Sequence, residues 1–161
     1  SLPAKYFSQS ISHIGIGLII IGATGSSILK IEKIQFQEIG EIIKINQYDV
    51  EFKGVKVVEG PNFLSQTGVF EVSKDDAHVI NLKPEKRFYN ANKQVTTEAA
   101  IYSTIFGDLY IAIGDKNSIK NSVSWTTRIW YNPFTIWIWL GVFFLVTGGL
   151  ISFFRVIKKK K

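Results

Sequence analysis

A histidine inside an apolar segment is the residue of this sequence best suited to chemistry. His13 lies in the run Ser12-His13-Ile14-Gly15, and an ionisable side chain at membrane depth is costly, which marks it as a functional candidate. Residues at helical spacing place it on a face that is polar and then small: Tyr6, Gln9, His13 and Gly17. Such a face would let a large planar group approach the backbone, and imidazole is a standard axial ligand of haem iron. A neutral histidine hydrogen-bonded to a neighbouring helix is the open alternative.

The second histidine has acidic neighbours but a different expected role. His78 follows Lys74-Asp75-Asp76-Ala77, and the group Asp75, Asp76 and His78 imitates a metal cluster. Near-consecutive turn residues rarely converge on one ion. A solvated hairpin turn is therefore the favoured interpretation.

A stretch of cations and aromatics at 83–89 is a candidate anion site. Its sequence is Lys83-Pro84-Glu85-Lys86-Arg87-Phe88-Tyr89. Lys86, Arg87 and Tyr89 could contact a propionate, a peptide carboxylate, a lipid headgroup or a partner protein. The alternative is an edge strand guarded by charge and proline.

Other chemistries find no support in the residue types. The chain has no cysteine, which removes thiol nucleophiles, disulfides and Cys-type metal sites. No nucleophile stands with a base and an orienting acid, which disfavours a hydrolase. The chain also has no methionine, even at position 1, so we expect a fragment of a longer protein or a processed product.

The sequence has two uncharged apolar segments, and His13 lies in the first of them. They run over residues 6–29 and 133–154, and each is long enough to cross a bilayer, which needs about 20 residues. A cleaved signal peptide is the rival for the first, but its apolar stretch is long and no A-x-A-like site follows. We expect an aromatic belt at the start of the second, and close packing of the glycines in the two spans. The belt residues are Trp130, Tyr131, Trp137 and Trp139, and the glycines are Gly15, Gly17, Gly22, Gly141, Gly148 and Gly149.

Charge is segregated around these spans. The chain has 19 basic and 13 acidic residues; all 13 acidic residues and 13 of the basic ones lie between Lys30 and Arg128. The remaining cations are Lys5, Arg155 and Lys158–Lys161, all outside the apolar segments. This is the positive-inside pattern of a membrane protein and not a nucleic-acid patch. It predicts a basic cytoplasmic or matrix tail at 155–161, and an external domain at 30–132 in the periplasm or intermembrane space.

The external domain is predicted to be mainly β. Apolar alternation and turn signals predict strands at Ile31–Gln37, Glu41–Ile45, Val50–Val58, Gly68–Ser73, Val79–Leu82, Leu109–Ile113 and Ser122–Tyr131, separated by turns such as Asn46-Gln47 and Asn90–Asn92. A short helix is predicted at Thr96–Tyr102. Many short strands favour a small OB-like barrel or a sandwich. The fold class is thus a membrane protein with two transmembrane helices flanking a mainly β external domain.

The chain resembles the C-terminal part of the CcmF-type cytochrome c haem lyases. The resemblance rests on runs that span nearly the whole chain in the family's order: Ser12-His13-Ile14-Gly15, Phe52-Lys53-Gly54-Val55, Val58-Glu59-Gly60-Pro61-Asn62, Pro84-Glu85-Lys86-Arg87-Phe88-Tyr89, Thr97-Glu98-Ala99-Ala100-Ile101, Asp108-Leu109-Tyr110-Ile111-Ala112, Asn132-Pro133-Phe134 and Trp137-Ile138-Trp139-Leu140-Gly141.

This resemblance implies a function in cytochrome c biogenesis. It implies transfer of haem from the haem chaperone CcmE to apocytochrome c, which arrives with a thiol-presenting partner. It also implies a resident membrane haem b, with His13 as one axial ligand of the haem iron and the second ligand in a part of the lyase outside this chain. The catalytic residues would lie in that part too, so the chain alone should be inactive.

The expected location is a bacterial inner membrane, with a mitochondrial one as the alternative. A non-catalytic membrane-anchored scaffold and a ligand-binding sensor module are the rival functions. Loss of His13 distinguishes a haem protein from these two alternatives, because only a haem protein needs that side chain.

Overall fold

The fold was determined as a computed structural model that describes residues 4–91, 93–119 and 122–159. These residues form two compact units, one built on two helices and one on β-strands. The described elements, in chain order, are α1 (Ala4–Ile28), β1 (Ile31–Glu38), β2 (Ile42–Ile45), β3 (Tyr48–Glu59), β4 (Phe63–Lys74), β5 (Ala77–Leu82), β6 (Glu85–Tyr89), β7 (Val95–Glu98), β8 (Ala100–Ser103), β9 (Gly107–Ile119), β10 (Ser122–Pro133) and α2 (Thr135–Lys159).

Both predicted membrane spans are helices. Tyr6–Ile28 and Thr135–Lys158 are long and apolar enough, by length and composition, to cross a bilayer. Most of their large apolar side chains point away from the other helix, as expected for side chains that face lipid or further helices. The two segments are the transmembrane helices of a membrane protein.

Glycines bring the two helices together in an antiparallel pair. Gly15 lies against Gly141, while Gly22 lies against Ile138 and Gly148 against the backbone of Ser8. The start of α1 therefore lies beside the end of α2, which places the basic flanks of both helices at the same end. The predicted close packing is confirmed for these glycines. Gly17 and Gly149 have open space around them instead.

The β unit is a sandwich of two antiparallel sheets. One sheet has the strand order β1-β10-β9-β8, and the other has the order β2-β3-β4-β6-β7. Strand β5 pairs with the C-terminal half of β4. Alternate residues of both sheets point inward, as the two-residue period of a strand requires. They form one core: Ile43, Ile45, Tyr48, Val50, Phe52, Phe70, Val72, Leu82, Leu109, Ile111, Ile113, Trp125, Ile129 and Tyr131. Two separate packed sheets correspond to the sandwich alternative.

The predicted helix at Thr96–Tyr102 is wrong. Val95–Glu98 is strand β7, paired with β6, and Ala100–Ser103 is strand β8, paired with β9 in the other sheet. The Glu-Ala-Ala sequence favours a helix only weakly, and cross-strand pairing and burial outweigh such a preference. Ala99 is the point at which the chain changes sheets.

Two further expectations need correction. The stretch that includes Glu85–Tyr89 is not an edge strand, because β6 lies between β4 and β7. Tyr131 is not part of an interfacial belt, since its side chain is buried in the sandwich core. Trp130, on the opposite side of the same strand, packs edge-on against Tyr110 within the β unit. The predicted turn at Asn90–Asn92 extends to residue 92, which is outside the described residues.

Candidate functional site

His13 lies on the face of α1 that points away from α2. Its side chain is exposed, whereas Ser8, Gly15 and Gly22 on the contact face are buried. The ring Nδ1 lies 2.7 Å from the backbone oxygen of Gln9. A carbonyl oxygen only accepts, so Nδ1 must carry the proton, and Nε2 is left with its lone pair. A hydrogen bond from the second ring nitrogen to a carbonyl is the usual support of a metal-binding imidazole.

A glycine one turn after His13 leaves open space on the same side of the helix. A Cβ placed on Gly17 would meet no atom within 4 Å. Tyr6, Gln9 and Ile20 are exposed along the same side of the helix. The polar-then-small face predicted from the sequence therefore exists and is available to a planar ligand or to another helix.

The acidic turn next to His78 does not form a metal site. Asp75 and Asp76 both adopt positive φ, 51° and 59°, and make the tight turn between β4 and β5. His78 follows in β5, and its Nε2 lies 3.3 Å from Oδ1 of Asn81. No group of three potential metal ligands occurs in the part of the chain that the structure describes. The solvated-turn interpretation fits this geometry.

The structure separates the cations of the candidate anion site. Lys86 points to one side of β6, where its ammonium pairs with Asp115. Arg87 and Tyr89 point to the other side, because successive side chains of a strand alternate. The three side chains thus do not converge on one ligand within this chain.

Arg87 is held by its neighbours within the β unit. Its Nε donates to Oε2 of Glu85 at 2.7 Å, and its guanidinium carbon lies 4.7 Å from the centre of the Phe63 ring. The hydrogen bond with Glu85, followed by one with Tyr89, raises the pKa of Arg87 above its ordinary value. Phe63 also packs on Tyr89, with ring centres 5.6 Å apart. These contacts account for the cation–aromatic composition of the stretch.

Sequence reasoning did not identify a groove on the outer face of the β1-β10-β9-β8 sheet. It has a volume of about 530 Å³. Its lining includes Ile34, Ala112, Thr126, Arg128 and Trp130. Arg128 stacks over Trp130 and is ion-paired with Glu32. The alternation Thr126-Arg128-Trp130 along β10 was the available signal, but only the sheet order brings β1 and β9 beside it.

Comparisons with known proteins agree with this architecture. A profile described as "CcmF C-terminal beta-sandwich" matches residues 28–133. The cytochrome c-type biogenesis protein CcmF of Haemophilus influenzae is 34% identical over 95% of the chain, and that of Escherichia coli K12 is 34% identical over 98%. The cytochrome c-type biogenesis protein CycK of Rhizobium meliloti is 30% identical over 94%.

A solved structure has the same fold. The chain superimposes on a protein titled "Cytochrome c Heme Lyase CcmF" with a TM-score of 0.67 over 92% of its length, at 14% identity. The match covers 24% of that protein, and the chain spans 23%, 24% and 22% of the three relatives, about a quarter of their length. Because the profile covers well over half of the chain, the chain belongs to the CcmF C-terminal β-sandwich family.

Proposed function

We propose that this chain is part of a cytochrome c haem lyase and that it works in the attachment of haem to apocytochrome c. Family membership and the names of its relatives, which are cytochrome c-type biogenesis proteins, support this role. The catalytic groups would come from the remainder of the same lyase. CcmE as haem donor, apocytochrome c and its thiol-presenting partner are the proposed protein partners.

His13 is the proposed contribution of the chain to cofactor binding. The observation that carries the proposal is the hydrogen bond of 2.7 Å between its Nδ1 and the oxygen of Gln9. This bond fixes the tautomer that presents Nε2 as a ligand, on a helix face that α2 leaves open. The donor type fits iron in a resident haem b, and the open surface at Gly17 fits a planar macrocycle. The second axial ligand would come from the remainder of the lyase.

The position of His13 along α1 suggests how such a haem would be used. The residue lies about seven positions inside the apolar segment, which corresponds to roughly 10 Å from the basic end of the helix pair. When bound there, the haem would supply one-electron chemistry within the membrane. We propose that it helps to keep incoming haem iron reduced, since a site at this depth is too far from the external surface for delivery to apocytochrome.

The proposed topology follows from charge. The antiparallel pair has its basic flanks at one end, which belongs on the cytoplasmic side by the positive-inside rule. The β-sandwich then lies on the external side, the periplasm of a bacterial inner membrane. The exposed apolar side chains of both helices contact lipid or neighbouring helices of the lyase.

The test is a haem assay on the assembled lyase carrying His13→Ala. The proposal expects loss of the resident b-type absorbance signal, while His78→Ala, which removes the other histidine, leaves it unchanged. His13→Gly with added imidazole should restore part of the signal, because the free ligand can occupy the vacated position. Unchanged haem content and spectrum in His13→Ala would assign His13 a packing role and favour the scaffold or sensor alternatives.

A further inference from the structure

The loop between β8 and β9 displays two large apolar side chains. Ile105 is 64% exposed and Phe106 is 65% exposed. The loop Thr104–Gly107 belongs to the same compact unit as α1 and α2. Its position is therefore defined relative to the transmembrane helices, and we call it the tip loop.

Hydrogen bonds fix the tip loop to the start of α2 and the residue before it. The indole Nε1 of Trp137 donates to the backbone oxygen of Ile105 at 2.9 Å. The backbone N–H of Phe134 donates to the oxygen of Phe106, also at 2.9 Å. Phe134 has a φ of 60°, an uncommon conformation for a bulky residue. In this conformation Phe134 makes its hydrogen bond with Phe106 and packs its ring against that of Trp137.

The loop also satisfies some of its own polar backbone groups. The hydroxyl of Thr104 accepts hydrogen bonds from the N–H groups of Phe106 and Gly107, at 3.3 and 3.2 Å, and donates to the oxygen of Gly107 at 2.8 Å. Backbone groups that enter an apolar medium need such internal partners. An ordered turn therefore holds Ile105 and Phe106 in their exposed positions.

The length of α2 and its tryptophans indicate the depth of the tip loop in the membrane. The span Thr135–Lys158 has 24 residues, or about 36 Å of helix against a hydrocarbon core of about 30 Å. The first turn of α2 therefore falls at the boundary between headgroups and acyl chains. Trp137 and the exposed Trp139 lie there, and tryptophan favours this region.

We propose that Ile105 and Phe106 insert into the lipid interface beside the first turn of α2, as a membrane contact additional to the two helices. The occupant is lipid because the exposed apolar pair is hydrogen-bonded to the start of a transmembrane helix, at the depth of its interfacial tryptophans. Within residues 104–107 the sequence carries no charge that would oppose insertion. This proposal is independent of haem.

The absence of cysteine permits site-directed spin labelling of the full chain. Ile105→Cys and Phe106→Cys would carry a nitroxide, and the proteins would be reconstituted in phosphatidylcholine–phosphatidylglycerol vesicles. Val57→Cys, at a residue 66% exposed on β3, is the aqueous control. Val146→Cys, at a residue 53% exposed on α2, is the reference for lipid. Relaxation by oxygen, which partitions into lipid, is compared with relaxation by a water-soluble nickel chelate.

The proposal expects the ratio of oxygen to nickel relaxation at 105 and 106 to lie between the two references and well above that of Val57→Cys. A ratio equal to that of Val57→Cys would overturn it. Exclusion of both reagents would also overturn it, since the tip would then be covered by protein.

A second measurement keeps the native side chains. A phospholipid with a photoreactive group near the glycerol should form adducts within residues 104–107 of the unsubstituted chain. The double variant Ile105→Ser/Phe106→Ser should form several-fold fewer adducts there and retain those along α2. Adducts on α2 alone in the unsubstituted chain would contradict insertion.

Discussion

Gly15 and Gly141 face each other across the helix pair so closely that neither can carry a side chain. A Cβ placed on Gly15 would lie 2.6 Å from the carbonyl oxygen of Gly141, and a Cβ on Gly141 would lie 2.6 Å from that of Gly15. Both neighbours are backbone atoms, so the helices themselves would have to separate.

Gly15→Ala is therefore expected to weaken the pairing of α1 and α2. Overpacking of this kind costs roughly 1–3 kcal/mol. Gly17→Ala is the matched control, because open space surrounds Gly17 and alanine raises helix propensity by about 1 kcal/mol. Denaturant titration of the full chain in detergent, followed by circular dichroism, measures the difference. Equal stability of the two variants would refute the close-contact geometry.

Gly17→Leu tests the open face next to His13. A Cβ at this position would meet no atom of the chain within 4 Å, so we expect the helix pair to remain intact. A leucine one turn from His13 would nonetheless obstruct a planar macrocycle bound to the imidazole. In the assembled lyase we expect haem content to fall several-fold. Gly149→Leu, also in open space but on α2, is the control and should retain haem. Full haem content in Gly17→Leu would place the ligand elsewhere.

Local patterns in the sequence were sufficient to predict most of the fold. The spans follow from uninterrupted apolar composition, and the strands at Ile31–Gln37 and Val50–Val58 follow from alternation and turn residues. The helix at Thr96–Tyr102 was wrong because its outcome depends on pairing with β6 and β9, which are β neighbours distant in sequence. Tyr131 was misplaced for the same reason, since it is core only once β10 pairs with β1.

The candidate site could also be predicted only in part from the sequence. The neighbours of His13 were predictable, because a helix fixes which residues share a face. The grouping of Lys86 with Arg87 and Tyr89 ignored the alternation of a strand, which sends Lys86 to the opposite side. The tip loop had no local signal at all, since its role depends on Trp137, some 32 residues later.

Phe70→Ala should strongly destabilise the sandwich. Phe52 and Phe70 are fully buried and stacked, with ring centres 4.9 Å apart. Truncation of a buried phenylalanine typically costs about 3–5 kcal/mol. Phe36→Ala removes the same atoms from an exposed position in β1 and should cost under about 1 kcal/mol. Thermal unfolding of both variants in detergent makes the comparison, and similar losses would contradict the core assignment.

A lysine bridging two carboxylates predicts a pH dependence of stability. The ammonium of Lys53 lies 2.8 Å from Glu51 and 3.0 Å from Glu71. Hydrogen bonds with Glu51 and then Glu71 raise the pKa of Lys53 above its ordinary 10.5. The hydrogen bond from Lys53 lowers the pKa of Glu71 below its ordinary 4.5.

The two shifts act at opposite ends of the pH scale. Because the folded pKa of Glu71 is lowered, its contribution is present above 4.5 and is lost as the pH falls through the folded value. Because the folded pKa of Lys53 is raised, its contribution is present below 10.5 and is lost as the pH rises through the folded value. All three groups are solvent-accessible, so the effect is small.

Lys53→Met should remove this pH dependence. The melting temperatures of the unsubstituted chain and the variant should differ at pH 7 and converge as the pH falls below 4.5 through the folded pKa of Glu71. Lys44→Met, at a lysine whose ammonium lies 3.6 Å from Asp49, is the control and should show a smaller difference at pH 7. A difference that stays constant on acidification would exclude the ion pairs as its source.

The proposed topology predicts opposite labelling of the β turn and the end of α2. The antiparallel helices place the start of α1 and the end of α2 together, and the cations cluster at that end, which the positive-inside rule assigns to the cytoplasm. In cells that express the chain, Asp76→Cys should react with a membrane-impermeant maleimide added from outside. Lys158→Cys should react only in inverted vesicles.

The two labelled positions are matched, because Asp76 and Lys158 are both exposed in the fold. Any difference in their reaction therefore reports the side of the membrane on which each lies. Reaction of Lys158→Cys from outside intact cells would reverse the topology, and reaction of both variants from one side would mean that the two helices do not span the bilayer as proposed.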